Sequence, residues 1–243
     1  MMIYDITRPL SPHTAVFPGD VPVRIAPTMQ MRNGDACNVT AITLSTHAGT
    51  HVDAPRHYSD EGCGVDAIPL DVLIGPARVI SLATKTKITT ADLQRALEGH
   101  SFPMRLLIHT PASERREDVW SAAFSAFAPD AAEWLGASGL RLIGTDAPSV
   151  DPAESKDLPA HRAFLRHGVF ILENICLRDV PDGDYELIAL PLRLVDGDAA
   201  PARAVLIKRQ RQRLAGCSLA KVDLSLEGGR RQCHRPPRTP HLA

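Results

Sequence analysis

His47-Ala48-Gly49-Thr50-His51-Val52-Asp53-Ala54-Pro55-Arg56-His57 is the stretch on which the reading of this chain turns. Three histidines and an aspartate fall within eleven residues, with Gly49 and Pro55 as punctuation. Neutral imidazole and carboxylate are common ligands of zinc and related divalent ions. His47 and His51 are spaced to share one face of a helix. The residue after His47 is Ala48, however, so the glutamate of the helical H-E-x-x-H motif is missing. Gly49 and the β-branched Thr50 and Val52 also disfavour a helix interior. An extended run into a tight turn fits better. Residues 37–45 are rich in β-branched and apolar side chains, as a strand would be. Gly49 lets the backbone turn sharply. An extended backbone sends His51 and Asp53 to one side, and Pro55 then fixes the chain direction that projects His57 nearby. A solvated polar loop is the alternative, and four potential ligands in so short a run argue against it.

Outward from this stretch, the 243 residues suffice to bury one full core. No apolar run approaches the ~20 residues that span a bilayer, and the N-terminus lacks the pattern of a signal peptide. The cysteines at 37, 63, 176, 217 and 233 are odd in number and form no C-x-x-C pair, which fits a reducing cytoplasm. Net charge is −1, unevenly spread: residues 207–243 hold nine Lys and Arg against Asp223 and Glu227 alone. That segment has no aromatic residue and no zinc-finger spacing. It reads as a disordered or non-native extension, with no nucleic-acid or membrane partner, beyond a domain of residues 1–206.

The pattern predicts strands at 77–83, 105–110, 140–145, 169–172, 185–190 and 202–207. It predicts helices at 89–98 (capped by Thr90 and stopped at Gly99), from Asp130 to near Gly139, and at 158–167. The class is mixed α/β in one domain. Phe17-Pro18-Gly19-Asp20 looks like a turn presenting an aromatic ring, either to the core or to a pocket. Glu173 follows four large apolar residues, and a carboxylate there needs a compensating charge. Arg166 or Arg178 could supply it, and so could a metal. His161 lies twelve residues earlier, where a helix start could aim it inward. His109 reads as a core histidine, His167 as a helix-end residue, and His13 and His100 as loop residues.

The eleven-residue run resembles the H-x-G-T-H-x-D-x-P-x-H signature of the metal-dependent cyclase superfamily. The whole pattern most resembles the bacterial kynurenine formamidases (arylformamidases) within it, through residues 4–10, 17–20, 144–151 and 161–173. The resemblance implies a compact α/β domain around a mixed, barrel-like sheet with flanking helices, usually a homodimer. It implies one zinc on His47, His51 and Asp53, and a second on Asp53, His161 and Glu173. Manganese and cobalt accept the same donors. His57 takes the acid/base position and Phe17 a substrate-contacting one. The implied small-molecule reaction is hydrolysis of N-formyl-L-kynurenine to L-kynurenine and formate. A sister enzyme opening a cyclic aryl amide such as isatin is the rival reading. The basic extension has no counterpart in that pattern.

Overall fold

The computed structural model describes residues 1–84 and 86–208. The expectations for the basic extension fall on residues 209–243, outside the described residues. In chain order the strands are β1 (Met2–Asp5), β2 (Arg24–Met29), β3 (Val39–Thr43), β4 (His51–Asp53), β5 (Ile74–Ser81), β6 (Lys87–Ile88), β7 (Arg105–His109), β8 (Ala126–Phe127), β9 (Leu142–Thr145), β10 (Phe170–Glu173), β11 (Gly183–Pro191) and β12 (Ala199–Lys208). The helices are α1 (Leu70–Leu73), α2 (Thr90–Leu97), α3 (Pro129–Ala137) and α4 (Pro159–Arg166).

Seven strands close into a barrel in the order β12-β11-β5-β7-β9-β10-β4, with β4 pairing back onto β12. β5, β7, β9 and β10 are mutually parallel, and the other pairings are antiparallel. The parallel run follows from the helices between its strands. Parallel neighbours need crossovers, and α2, α3 and α4 lie in those connections. The first half of β12 pairs with β4 and its second half with β1. The strand reaches Lys208, two residues past the expected end of the domain at 206.

Alternation along the strands sorts side chains between two cores. Val52, Val79, Leu107, Leu142, Leu172, Leu187 and Leu206, one from each strand of the ring, fill its interior. Their neighbours Ile80, Leu106, Ile108, Ile143 and Ile171 face outward and pack with Leu93, Leu135 and Phe164 of the helices. Each fully buried leucine or isoleucine contributes about 1.5–3 kcal/mol of transfer free energy. Glu173 follows Ile171 at a spacing of two, so it shares the outer, helix-side face. His51 lies directly across from Glu173 in the β4–β10 register, and Asp53 lies across from Ile171. The alternation that buries Val52 inside the barrel therefore sends His51 and Asp53 out onto this same face.

Predicted helices and strands match these elements within a few residues, with two corrections. The cap of α2 is Thr89, not Thr90. The Thr89 hydroxyl accepts from the Asp92 N–H, and the Asp92 carboxylate accepts in return from the Thr89 N–H, a reciprocal capping box. β2 has no counterpart among the predicted strands, because the N-terminal segment reads only as extended pieces alternating with proline turns, Pro22 and Pro27 among them. β2 instead pairs with β3 as a separate two-stranded ribbon, with Pro27 at an irregularity in the register, where a missing N–H is tolerated.

Candidate metal centre

Three local devices place the site. Gly49 adopts φ +66°, and a Cβ there would come within 2.7 Å of the Leu10 side chain. This turn delivers the chain into β4 with His51 and Asp53 buried. Pro55 then opens a short 3-10 turn over Pro55–His57, which swings His57 back beside His47, with ring centroids 4.1 Å apart. The third device is the start of α4. Leu158, just before it, is in the left-handed region and supplies no side-chain cap. Asp151 caps the helix instead, accepting from the backbone N–H groups of Ala160 (2.9 Å) and His161 (3.0 Å). The same carboxylate accepts from His161 Nδ1 at 2.8 Å, which aims Nε2 toward the barrel wall.

His47, His51, Asp53, His161 and Glu173 converge there. Asp53 Oδ1 is 3.1 Å from His47 Nδ1 and 3.2 Å from His51 Nε2, and Asp53 Oδ2 is 3.6 Å from His161 Nε2. Glu173 stands 3.5 Å from His51 Nε2 and 3.7 Å from His161 Nε2, and accepts from the Val150 N–H at 2.8 Å. The arginines that could have neutralised Glu173 are engaged elsewhere, Arg166 with Glu133 and Arg178 with Glu114. His109 contacts Ser81, His167 contacts Glu133 at the end of α4, and His13 and His100 are exposed.

Tautomers decide what this cluster wants. A carbonyl oxygen can only accept, so His51 Nδ1, 2.9 Å from the Gly49 oxygen, must carry its proton. His161 Nδ1 donates to Asp151 by the same logic. Both Nε2 atoms of the neutral rings therefore present lone pairs to carboxylate oxygens, acceptor against acceptor. His51 Nε2 and both oxygens of Asp53 are buried without a hydrogen-bond partner. Such an arrangement calls for a cation between the groups, a proton or a metal ion. Burial opposes charge on these imidazoles, but the carboxylates of Asp53, Glu173 and Asp151 outweigh it and hold both His51 and His161 up at about 10. Burial and the Asp53 charge push Glu173 upward, whereas the surrounding histidines overcome burial and pull Asp53 far down. Two sets of ligand atoms lie within 4.8 Å of one another: His47–Asp53–His57 and His51–Asp53–Glu173. Asp53 belongs to both, as a bridging carboxylate would. The grouping otherwise differs from the implied ligand sets, because His51 falls with Glu173 and His57 with His47.

His57 is the more accessible imidazole. Burial and the neighbouring His47 and His161 charges outweigh the pull of Asp53 and lower it to about 4, so it is neutral at pH 7, with a free lone pair. Asp198 lies 3.1 Å from His47 Nε2 and 4.0 Å from His57 Nδ1. Sequence reading gave no role to Asp198, which comes from a loop far along the chain, nor to Asp151 as the residue orienting His161. A carboxylate ten residues before a histidine was the available signal for Asp151.

The cluster forms the floor of a cavity of about 280 Å³. Phe17 lies on its rim, 43% exposed, with its ring centroid 5.0 Å from that of Trp120. It is therefore a pocket residue and not a core one. Trp120 went unnoticed in the sequence because its loop has no periodicity to place it.

A sequence profile of the Cyclase family ("Putative cyclase") matches residues 4–152. Among solved structures, one described as a potential metal-dependent hydrolase with cyclase activity is 31% identical. It aligns over 86% of this chain and 98% of its own, with a TM-score of 0.74. A "predicted metal-dependent hydrolase" from Bacillus stearothermophilus is 30% identical over 84% of this chain and 97% of its own, at TM-score 0.73. Isatin hydrolase A from Labrenzia aggregata is 25% identical over 86% and 94%, at TM-score 0.75.

Proposed function

The chain belongs to the Cyclase family, and from that premise we propose that it is a two-metal amidohydrolase that cleaves N-formyl-L-kynurenine to L-kynurenine and formate. The observation that carries the hydrolase reading is the buried set of unpaired acceptors, His51 Nε2 and the Asp53 oxygens, beside a cavity lined by His47, His51, His57, His161 and Glu173. His47, His51, Asp53, His161 and Glu173 would hold the ions, with zinc the expected metal and manganese or cobalt acceptable to the same donors. A divalent ion supplies Lewis acidity, acidifying water toward neutral pH and polarising a carbonyl oxygen.

The chain's own residues do the rest. The neutral ring of His57 faces the cavity and can take a proton from the attacking water as its oxygen bonds to the formyl carbon. It can then give that proton to the arylamine nitrogen as the C–N bond breaks, so one imidazole serves both transfers. Asp198, near both His47 and His57, favours the protonated state between the two steps. The cavity suits one aromatic ring with a short side chain, and Phe17 and Trp120 offer that ring apolar faces.

Isatin hydrolysis is the second reading, supported by the likeness to isatin hydrolase A. Hydrolysis of N-formyl-L-kynurenine and of isatin should be followed side by side on protein as isolated, after chelation, and after refilling with zinc. Formamide cleavage that disappears on chelation and returns with zinc supports the proposal. Zinc-dependent isatin opening without formamide cleavage would replace it.

We propose further that the enzyme is a cytoplasmic homodimer. Cys37, Cys63 and Cys176 are free, in keeping with a reducing compartment, and no helix among the described residues is long and apolar enough to cross a membrane. The β2–β3 ribbon is exposed along both strands, including Ile25, Val39 and Ile42. A bare two-stranded ribbon is marginal in water, and a second copy packed on it would bury these side chains. Light scattering on the purified protein, which should give twice the chain mass, tests this.

A further inference from the structure

The cavity that ends in the acidic, histidine-rich floor also has two arginines in its wall, Arg8 and Arg115. Arg8 is 3% exposed. Its Nη2 donates to the Ala112 carbonyl at 2.9 Å, and its Nε is buried with no partner. Arg115 donates from Nη2 to the Asn174 side-chain oxygen at 2.6 Å, while its Nη1 is buried and unpartnered. Among the described residues neither guanidinium forms an ion pair with a carboxylate. Asp146, the nearby acid, is occupied by Thr110 and Ser113, which donate to it through both their backbone N–H and hydroxyl groups. Glu117 lines the same cavity without reaching either arginine to form a salt bridge.

Two adjacent, largely buried cations without an anion are costly, and a ligand anion would relieve that cost. We propose that Arg115, backed by Arg8, is a subsite for a carboxylate on the substrate, so that the enzyme selects N-acyl arylamines carrying a carboxylate side chain over neutral aryl amides. A guanidinium with one free edge suits a carboxylate, which accepts parallel N–H bonds from it. Burial and the charge of Arg8 lower Arg115 to about 10, a strain that a bound anion would reverse.

The subsite is tied to the reacting centre through the backbone. The Arg8 N–H donates to Thr50 Oγ1 (2.9 Å), and that hydroxyl donates to the Asn174 carbonyl (2.7 Å). Thr50 and Asn174 are the chain neighbours of His51 and Glu173. The arginines are thus held in a fixed relation to the floor, as an anchor for the far end of a substrate must be.

This proposal rests on the hydrolase reading of the floor, and the test keeps the two apart. Zinc-loaded wild type, Arg115→Gln and Arg115→Lys would be assayed on N-formyl-L-kynurenine and on 2-formamidoacetophenone, the same formamide without the amino-acid end. In parallel, binding of L-kynurenine and of 2-aminoacetophenone would be measured by tryptophan fluorescence. Glutamine retains a donor for Asn174, and thermal melts would confirm that each variant folds. The expected result is that Arg115→Gln raises KM for the carboxylate substrate about 10- to 100-fold more than for the neutral one, with lysine restoring part of the difference. L-kynurenine binding should weaken in parallel. Equal losses on both substrates, or no loss on either, would overturn the subsite while leaving a formamidase intact. If wild type cleaves neither formamide yet binds L-kynurenine in an Arg115-dependent way, the subsite stands and the formamidase reading falls.

Discussion

The floor and the wall of the cavity are built on opposite plans. The floor is carried by regular elements: His51 and Asp53 by β4, Glu173 by the facing register of β10, and His161 by the first turn of α4. Its groups are nearly all buried, and three of its polar atoms lack any hydrogen-bond partner. The wall is carried by loops. Phe17 and Trp120 meet there as two rings from distant segments, and the Arg8 side chain donates to the Arg115 backbone carbonyl. The floor is rigid and under-neutralised, set for a cation. The wall is assembled from loops and faces the part of a ligand that does not react. Chemistry should depend on the floor and selectivity on the wall.

That division can be broken experimentally at several depths. The largest effect is expected from Asp53→Ala, which removes the only carboxylate common to both ligand sets. Bound metal measured by elemental analysis should be lost and hydrolysis should fall below detection, so a variant that kept full metal content would show that Asp53 is not a ligand. Next comes His57→Ala. It should retain metal while kcat falls about 10²- to 10⁴-fold, the usual contribution of a positioned acid/base group. Parental turnover would rule out the proton-transfer role.

Acidity should loosen the floor and leave the wall alone. Without metal, His51 and His161 remain protonated up to about 10, so an incoming ion must displace those protons. Apparent zinc affinity should therefore rise with pH through neutrality, by up to ~10-fold per unit for each displaced proton. A flat profile in competition titrations would contradict the tautomer argument. Asp151→Asn weakens the orientation of His161 and should cost about 10- to 100-fold in metal affinity, with catalysis returning at saturating zinc. The smallest effect belongs to Phe17→Ala. It removes one ring from the rim and should raise KM about fivefold, on the order of 1 kcal/mol, with kcat and metal content retained. A collapse of kcat instead would place Phe17 in the floor's machinery.

The same contrast explains what could be read from the chain beforehand. His51 and Asp53 were legible because a period of two is a local property of extended backbone, and the turn at Gly49 is written in the residue type. Glu173 was legible as a charge that follows a buried run and needs a partner. The barrel-like sheet came only through the family resemblance, because nothing local in a three-residue strand says that it pairs on both sides. β2 was missed because Pro27 within it and Pro22 just before it imitate turns, and pairing with β3 overrides that signal. Asp198, Trp120 and the two arginines stayed hidden for one physical reason. Their positions are set by contacts between loops distant in sequence, and such contacts leave no periodic trace.

β4 is the strand that seals the barrel, paired with β10 on one side and β12 on the other. It is made early on the ribosome, whereas its partners come late among the described strands. Until they are made, the histidine-rich run has neither of the edge partners that hold it in the finished barrel. Only when β12 emerges can β4 be gripped from both edges and the donors drawn together. The centre would thus be assembled at the last step of making the domain, and a chain cut short before residue 199 would lack the strand that closes the ring around it.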